Sequence, residues 1–217
     1  MIEGKITIGC GELAAVEVMA KILGEFHEKY PRVQFNLFTA TADMVKEQME
    51  KGLVDIGVLL EPVDMEKYEF IRLECKEKWV VVMRADDPLA ERESVTAKDL
   101  EPLPLILPRR MGVQNELASW FGDSYKKLDV RFTSNFVNNA SIMVRNGLGY
   151  AIAVEKALAF GEPEVLTWRP LAPELSSNSV FAWKRNQPFS PAATKLIEYI
   201  KCFLGITKAY NIGISKK

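Results

Sequence analysis

The sequence has few of the residues on which metal centres and disulfide frameworks depend. Its cysteines, Cys10, Cys75 and Cys202, are odd in number and scattered, and no two of them form a CxxC pair. Because His27 is the one histidine, a histidine-rich metal cluster or a Ser-His-Asp triad has little to draw on. We therefore expect reduced thiols, no metal, no cofactor and a cytoplasmic protein.

Long apolar runs and an excess of charge of one sign are also missing. No apolar stretch reaches the roughly 18 residues of a membrane span, and no secretion signal is visible at the start. The net charge is −1, from 28 basic and 29 acidic side chains, so no global field attracts nucleic acid or an anionic membrane. With 217 residues, of which 48% are apolar, the chain can form two small lobes, each with its own core.

One sequence pattern occurs twice, as "MEKGLVDIGVLLEP" at Met49–Pro62 and as "MVRNGLGYAIAVEK" at Met143–Lys156. In each copy, helix-compatible residues lead to a glycine, Gly52 or Gly147, which readily takes the left-handed conformation that closes a helix. A short apolar run follows, as expected of a buried strand in a parallel sheet. A "VxF" strand precedes the helix in both copies. We interpret the copies as two βαβ units and the chain as a pair of similar lobes.

Periodicity and turn signals predict alternating strands and helices. The predicted strands are Gly4–Gly11, Val33–Phe38, Asp55–Leu60, a pair of strands within Tyr68–Arg84, Leu103–Leu107, Val130–Ser134, Tyr150–Val154, Glu164–Pro170 and Ser179–Arg185. The predicted helices are one with Val16, Met19, Leu23, Phe26 and Tyr30 on its apolar face, one capped by Thr41, one around Glu116–Tyr125, one ending at Gly147, and one from Pro191 to about Leu204 with Ser190 as its cap.

Two of these segments are "KWVVVMR" and "SVFAWKR". Each follows a set of strands and helices large enough to form one lobe. If the chain crosses between lobes near residues 78 and 179, lobe I consists of residues 1–78 and 180–217, and lobe II of residues 79–179. Two connecting strands would form a hinge, and the lobes would enclose a cleft lined by the loops after the carboxyl ends of the strands. The expected fold is therefore α/β, with two Rossmann-like lobes joined by two crossover strands.

Five segments carry a family resemblance: "GKITIG", "FHEKYPRVQFNL", "KGLVDIGV", "DDPLAERESVTAKDLEPLPLI" and "VRNGLGYAIA". Their order and spacing resemble the effector-binding, or substrate-binding, domain of LysR-type transcriptional regulators. The resemblance implies a type II periplasmic-binding-protein-like fold and a small-molecule effector of unknown identity. It also implies a homodimer or higher homo-oligomer, in which helix one of one protomer faces lobe II of another.

Intact members of that family resemble a winged helix-turn-helix domain joined to such a sensor. Since this chain begins at the sensor's first strand, we expect the DNA-reading domain to be absent from it. DNA would then be a partner only through that missing domain, and no membrane partner is expected. The near-zero net charge agrees with this expectation.

The first candidate ligand-binding loop is Cys10, Gly11, Glu12 and Leu13. Its backbone N–H groups precede a helix and suit an anionic group. The family often has a hydroxyl side chain here, whereas this sequence has Glu12, whose negative charge favours an amine-bearing or cationic effector over a simple dianion. Cys10 is either a residue for ligand binding or redox sensing, or a small residue at the end of a strand.

The second candidate loop contains Thr39, Thr41 and Ala42. Family members often have a hydroxyl near Ala42, and here the two threonines supply hydroxyl groups. Thr41 has an alternative role as the cap of the following helix.

Lobe II offers further candidates. Pro108 and Arg109, followed by Arg110, come after a strand, and a guanidinium there would bind a carboxylate or simply be solvated. Asn135 and Phe136 supply an amide and an aromatic wall, or else a turn and core filling. Ala151 is predicted to form the strand floor of the cleft.

Three function classes follow from these features. The first is a small-molecule sensing and dimerisation domain that controls transcription by the full-length protein. A solute-binding protein of a transport system would share the two-lobed cleft. An enzyme would need a catalytic constellation, and Glu12 is the one obvious acid or base in the expected loops, so no catalytic residue is predicted.

Overall fold

The computed structural model describes residues 2–64, 66–158 and 164–206. The strands are β1 (Gly4–Cys10), β2 (Val33–Thr39), β3 (Ile56–Leu60), β4 (Tyr68–Arg84), β5 (Val95–Thr96), β6 (Pro104–Pro108), β7 (Asp129–Ser134), β8 (Tyr150–Val154), β9 (Leu166–Ala172) and β10 (Ser176–Lys184). The α-helices are α1 (Ala15–Lys29), α2 (Ala42–Glu50), α3 (Ala97–Leu100), α4 (Met111–Phe121), α5 (Val137–Arg145) and α6 (Pro191–Phe203). Short 3-10 helices lie at Pro88–Glu91, Gly122–Lys127 and Glu155–Leu158.

The chain divides into two compact units. Unit 1 contains Ala15–Glu74 with the described residues before Glu12 and after Asn178, and unit 2 contains Glu12–Ala14 and Cys75–Asn178. The chain passes from unit 1 to unit 2 within β4 and returns within β10. Two strands therefore join the units, which confirms the predicted fold class. Residues 1 and 207–217 of the predicted lobe I lie outside the described residues.

Unit 1 is built on three parallel strands in the order β2–β1–β3, with β10 antiparallel to β3. Helix α1 buries Ala15, Met19, Ile22 and Phe26. The apolar face is therefore centred on Ile22 rather than on the predicted Leu23, which is half-buried. The helix ends at Lys29, before Pro31, as the restriction that proline places on the preceding residue predicts.

Unit 2 repeats this plan with β7–β6–β8 in parallel, and β4 antiparallel to β8 and β9. Helix α5 connects β7 to β8 and packs Ala140 and Val144 into a core with Val82, Ile106 and Ala151. The short strand β5 pairs with β9. Both units therefore contain the βαβ motif that the repeated sequence pattern predicts.

Two predicted elements are wrong. The Tyr68–Arg84 segment is one strand rather than a pair, because the intervening Cys75, Lys76, Glu77 and Lys78 include no glycine or proline to form a turn. Helix α4 covers Met111–Phe121 rather than Glu116–Tyr125, because Gly122, with φ +59°, ends it. Within the described part of the chain, no helix is both long and apolar enough to cross a bilayer.

Candidate functional site

The carboxyl ends of β1 and β2 meet at one edge of the unit 1 sheet. Cys10, the last residue of β1, is in register with Thr39, the last residue of β2, and also pairs with Val58 of β3. The Ala40 N–H donates to the Cys10 carbonyl at 2.9 Å. We call Cys10, Gly11, Thr39, Ala40 and Thr41 the unit 1 strand-end surface.

Cys10 is buried in this surface, with an exposed fraction of 4%. Burial raises the pKa of its thiol above the ordinary value, and a hydrogen bond with the Thr39 side chain partly opposes that effect. The thiol is therefore protonated at neutral pH and is not an activated nucleophile. Its place at the end of β1 supports the interpretation of Cys10 as a small residue that fills the strand end.

Thr41 occupies the N-cap position of α2, as predicted. The prediction that its hydroxyl caps the helix is wrong, because the side chain makes no hydrogen bond to an N–H of the first turn. The hydroxyl is thus not used in capping the start of the helix, and Thr41 is half-buried next to the strand ends. Ala42, 8% exposed, packs into the unit 1 core with Val45 and Met49.

In unit 2, β6 and β7 also end together. Pro108 is in register with Ser134, and the Arg109 N–H donates to the Ser134 carbonyl at 2.8 Å. The residues that follow these strands lie at one edge, because β6 and β7 are parallel. We call Glu12, Leu13, Pro108, Arg109, Asn135, Phe136 and Asn138 the unit 2 strand-end surface.

The Arg109 guanidinium is exposed and has no hydrogen-bond or ion-pair partner within the described residues. Arg84, Arg92 and Arg131 of the same unit each form an ion pair with an aspartate. The backbone around Arg109 is nevertheless held, because Gln114 Nε2 donates to the Pro108 carbonyl at 3.0 Å. Hydrogen bonds therefore fix the main chain at Arg109, while its guanidinium has no partner among the described residues.

The loop between β7 and α5 is ordered by Ser134. Its hydroxyl donates to the Phe136 carbonyl at 2.7 Å and accepts from the Phe136 N–H at 3.4 Å. Phe136 is the N-cap of α5 and provides no side-chain cap, so the positive end of this helix has no capping oxygen from that residue. Asn135 is exposed and Phe136 is half-buried.

Glu12 groups with unit 2, although the residues on either side of Glu12–Ala14 belong to unit 1. Its Oε1 accepts a hydrogen bond from Asn138 Nδ2 at 3.3 Å. Two residues later, the Ala14 N–H donates to Oε2 of Glu77 at 2.8 Å, and Glu77 is 1% exposed. Sequence reasoning missed Asn138, whose signal is an amide in the first turn of the helix after β7.

The remaining candidates lie in the first loop or in the unit 2 core. Gly11 and Leu13 are half-buried in the first loop. Ala151 is 1% exposed and lies in the unit 2 core, beneath rather than on the strand-end surface. Within the residues that the structure describes, no group of His, Cys, Asp and Glu has an arrangement that could hold a metal ion.

Comparison with protein families gives a match over nearly the whole chain. The model of the LysR substrate binding domain matches residues 2–204. The chain is 34% identical over 203 residues to an uncharacterised HTH-type transcriptional regulator, YvbU, of Bacillus subtilis, covering 93% of this chain and 68% of that protein. It is 24% identical over 201 residues to the Hca operon transcriptional activator HcaR of Escherichia coli, covering 91% of this chain and 67% of the activator.

Solved structures share the fold. The effector-binding domain of QuiR in complex with shikimate aligns with a TM-score of 0.80 and 16% identity, covering 93% of this chain and 97% of that one. The regulatory domain of Synechocystis CcmR in complex with 2-PG aligns with a TM-score of 0.76 and 18% identity, with the same coverage of 93% and 97%. At these identities the likeness concerns the fold alone.

Proposed function

Since this chain belongs to the LysR substrate-binding domain family, we propose that it senses a small-molecule effector and thereby controls transcription by the intact regulator. The observation that carries the proposal is the family match over residues 2–204. The regulators YvbU and HcaR, of whose lengths the chain covers 68% and 67%, favour this function over a transport solute-binding protein or an enzyme.

The strand-end surfaces supply the effector contacts in this proposal. On unit 1, the Thr39 and Thr41 side chains offer hydroxyls, with the Cys10 thiol held against Thr39. On unit 2, Arg109 and Asn135 are exposed and offer polar groups, and Phe136, which follows Asn135, is half-buried. Ala42 and Ala151 support these surfaces from the cores. A few polar groups among apolar side chains are typical of sites for small organic ligands.

Effector binding acts by population shift. A ligand that binds one state of the domain more tightly than another changes their equilibrium by its difference in affinity and by no more. The domains of QuiR and CcmR, which share this fold, were solved in complex with shikimate and with 2-PG, which supports a small ligand here.

Self-association forms a second part of the proposal. The edge strands β2 and β7 expose apolar side chains: Leu37 is 55% exposed, Val130 42% and Phe132 41%. Each of these strands pairs with a neighbour on one side within its own unit. Exposed edges of this kind are covered in most proteins, and a second copy of the chain would cover them in a homodimer.

The experiment that tests sensing is a thermal-shift screen of cellular metabolites against this domain. A ligand that binds the folded state raises the melting temperature by linkage. We expect a specific metabolite to do so for the wild type and to lose its effect on Arg109→Gln. Arg32→Gln is the matched control, because Arg32 carries the same charge in an exposed ion pair with Glu3, near the amino end of β2. A screen with no specific response, or an undiminished response of Arg109→Gln, would argue against the proposed site.

A further inference from the structure

The unit 2 strand-end surface carries two opposite charges that have no ionic partner among the described residues, and from them we infer the chemical class of the effector. We propose that it is a zwitterion, with an ammonium group that binds Glu12 and a carboxylate that binds Arg109. The inference rests on the proposed function, because it assigns the ligand of the same site. It goes further by specifying which charges the ligand must carry.

Glu12 provides the anionic half. Within the part of the chain described, its carboxylate has one hydrogen-bond partner, the neutral amide of Asn138 at 3.3 Å, and no cationic partner. A carboxylate has about four acceptor positions, so most of its capacity remains open. The side chain is half-buried, and loss of water there is better offset by a cation than by an amide alone.

Glu77 reinforces the same preference. It is buried beside this loop, where its Oε2 accepts the Ala14 N–H at 2.8 Å. The backbone two residues after Glu12 therefore already binds one carboxylate, and an anionic ligand group there would meet two acidic side chains. The loop therefore selects a cationic group rather than a second acid.

Arg109 provides the cationic half. Its guanidinium has no partner within the described residues, while three other arginines of the unit are paired with aspartates. A guanidinium binds a carboxylate with two parallel N–H···O bonds, which fixes direction as well as charge. The carboxylate of the ligand is thus assigned to Arg109.

The two charged residues are anchored to one short segment of unit 2. Arg109 is tied through its N–H to Ser134 at 2.8 Å, and Glu12 is tied to Asn138 at 3.3 Å. The chain from Ser134 to Asn138 spans at most about 14 Å even when extended. Both residues are therefore attached to the same five-residue segment, and the proposed ligand bridges their side chains there.

A three-series titration of the purified domain tests the assignment. The probes are L-amino acids, the amines that lack the carboxylate, and the 2-hydroxy acids that lack the amine, with each compound matched in its side chain. We expect at least one amino acid to bind about 10-fold more tightly than its amine and its hydroxy acid. Calorimetry on each matched trio gives these ratios.

Two variants test whether Glu12 and Arg109 cause these differences in affinity. Glu12→Gln should abolish the preference for the amino acid over the hydroxy acid while leaving the preference over the amine, and Arg109→Gln should do the reverse. Glu47→Gln, which alters an exposed carboxylate paired with Lys51 on α2, should change neither preference. This reciprocal pattern would not arise from a general loss of folding.

Several outcomes would overturn the inference. A hydroxy acid or an amine that binds the wild type as tightly as its matched amino acid contradicts it, and so does a response to none of the three series. A metabolite without an amino group whose binding is lost in Arg109→Gln would exclude the zwitterion and leave the proposed sensing function intact. Unchanged preferences in Glu12→Gln would show that Glu12 does not read the amine.

Discussion

Gly52 and Gly147 occupy equivalent positions at the ends of α2 and α5, with φ angles of +70° and +74°. The N–H of the leucine after each glycine, Leu53 or Leu148, donates back to a carbonyl of the last helical turn at 2.9 and 3.0 Å. Both helices therefore end in the same Schellman motif, one in each unit. The two copies of the sequence pattern therefore form the same kind of helix end.

We predict that Gly52→Ala and Gly147→Ala each lower the free energy of unfolding by about 1 kcal/mol, because an L side chain is strained at this φ. Gly24→Ala is the matched control. Gly24 lies within α1, and an added Cβ would meet no atom within 4 Å, so the substitution should stabilise the protein by roughly 0.5–1 kcal/mol. Urea denaturation measures all three, and stabilisation by Gly52→Ala would contradict the assignment of the turn.

A second prediction concerns Ser177, which is 6% exposed. Its hydroxyl accepts from Trp79 Nε1 at 2.9 Å and donates to Glu116 Oε2 at 2.7 Å. Ser177→Ala removes a partner from both groups, so we expect a loss of about 1–3 kcal/mol in unfolding free energy. Ser119→Ala, at an exposed position on α4, should stay within about 0.5 kcal/mol. Equal effects of the two variants would show that the buried hydrogen bonds contribute little.

A third prediction concerns alkaline pH. Burial, and then the hydrogen bond from Tyr150 to Asp87, raise the pKa of Tyr150 from 10.0 to about 12. Because the folded state favours the protonated phenol, this contribution is complete below pH 10 and is lost as the pH rises towards 12. Comparison of unfolding free energy against pH should show a smaller alkaline decline for Tyr150→Phe than for the wild type. Parallel declines would exclude Tyr150 as a source of the pH dependence.

The fourth prediction addresses self-association. Leu37→Glu or Phe132→Glu would place a charge on an edge strand and should shift the protein from dimer to monomer in analytical ultracentrifugation. Leu53→Glu is the control, because Leu53 is 61% exposed but lies in the turn after α2 rather than on an edge strand. Dimers that persist in both edge variants would exclude β2 and β7 as the interface.

The fold was predictable because its signals are local. A glycine at a helix end and the short apolar run after it lie within about a dozen residues of each other. This pattern occurs once in each unit. The Ser190 cap and the Pro191 start of α6 were likewise correct, with the Ser190 hydroxyl accepting the Ala193 N–H at 3.1 Å. Such patterns determine an element before any tertiary contact forms.

The site was less predictable because its contacts are distant in the chain. Glu12 and Asn138 are 126 positions apart, and no local pattern indicates that they meet. Nor does the sequence reveal that the Thr41 hydroxyl leaves its own helix uncapped or that Arg109 has no internal partner within the described residues. These features depend on the tertiary structure around each side chain, which local sequence patterns do not specify.

The most direct test of effector sensing at the strand ends is calorimetric titration with the metabolite that raises the melting temperature most. Wild type, Asn135→Ala, Arg109→Gln and the control Arg32→Gln would be compared, each shown to be folded by circular dichroism. We predict at least about 10-fold weaker binding for Asn135→Ala and Arg109→Gln, and wild-type affinity for Arg32→Gln. Wild-type affinity in both Asn135→Ala and Arg109→Gln would contradict the account.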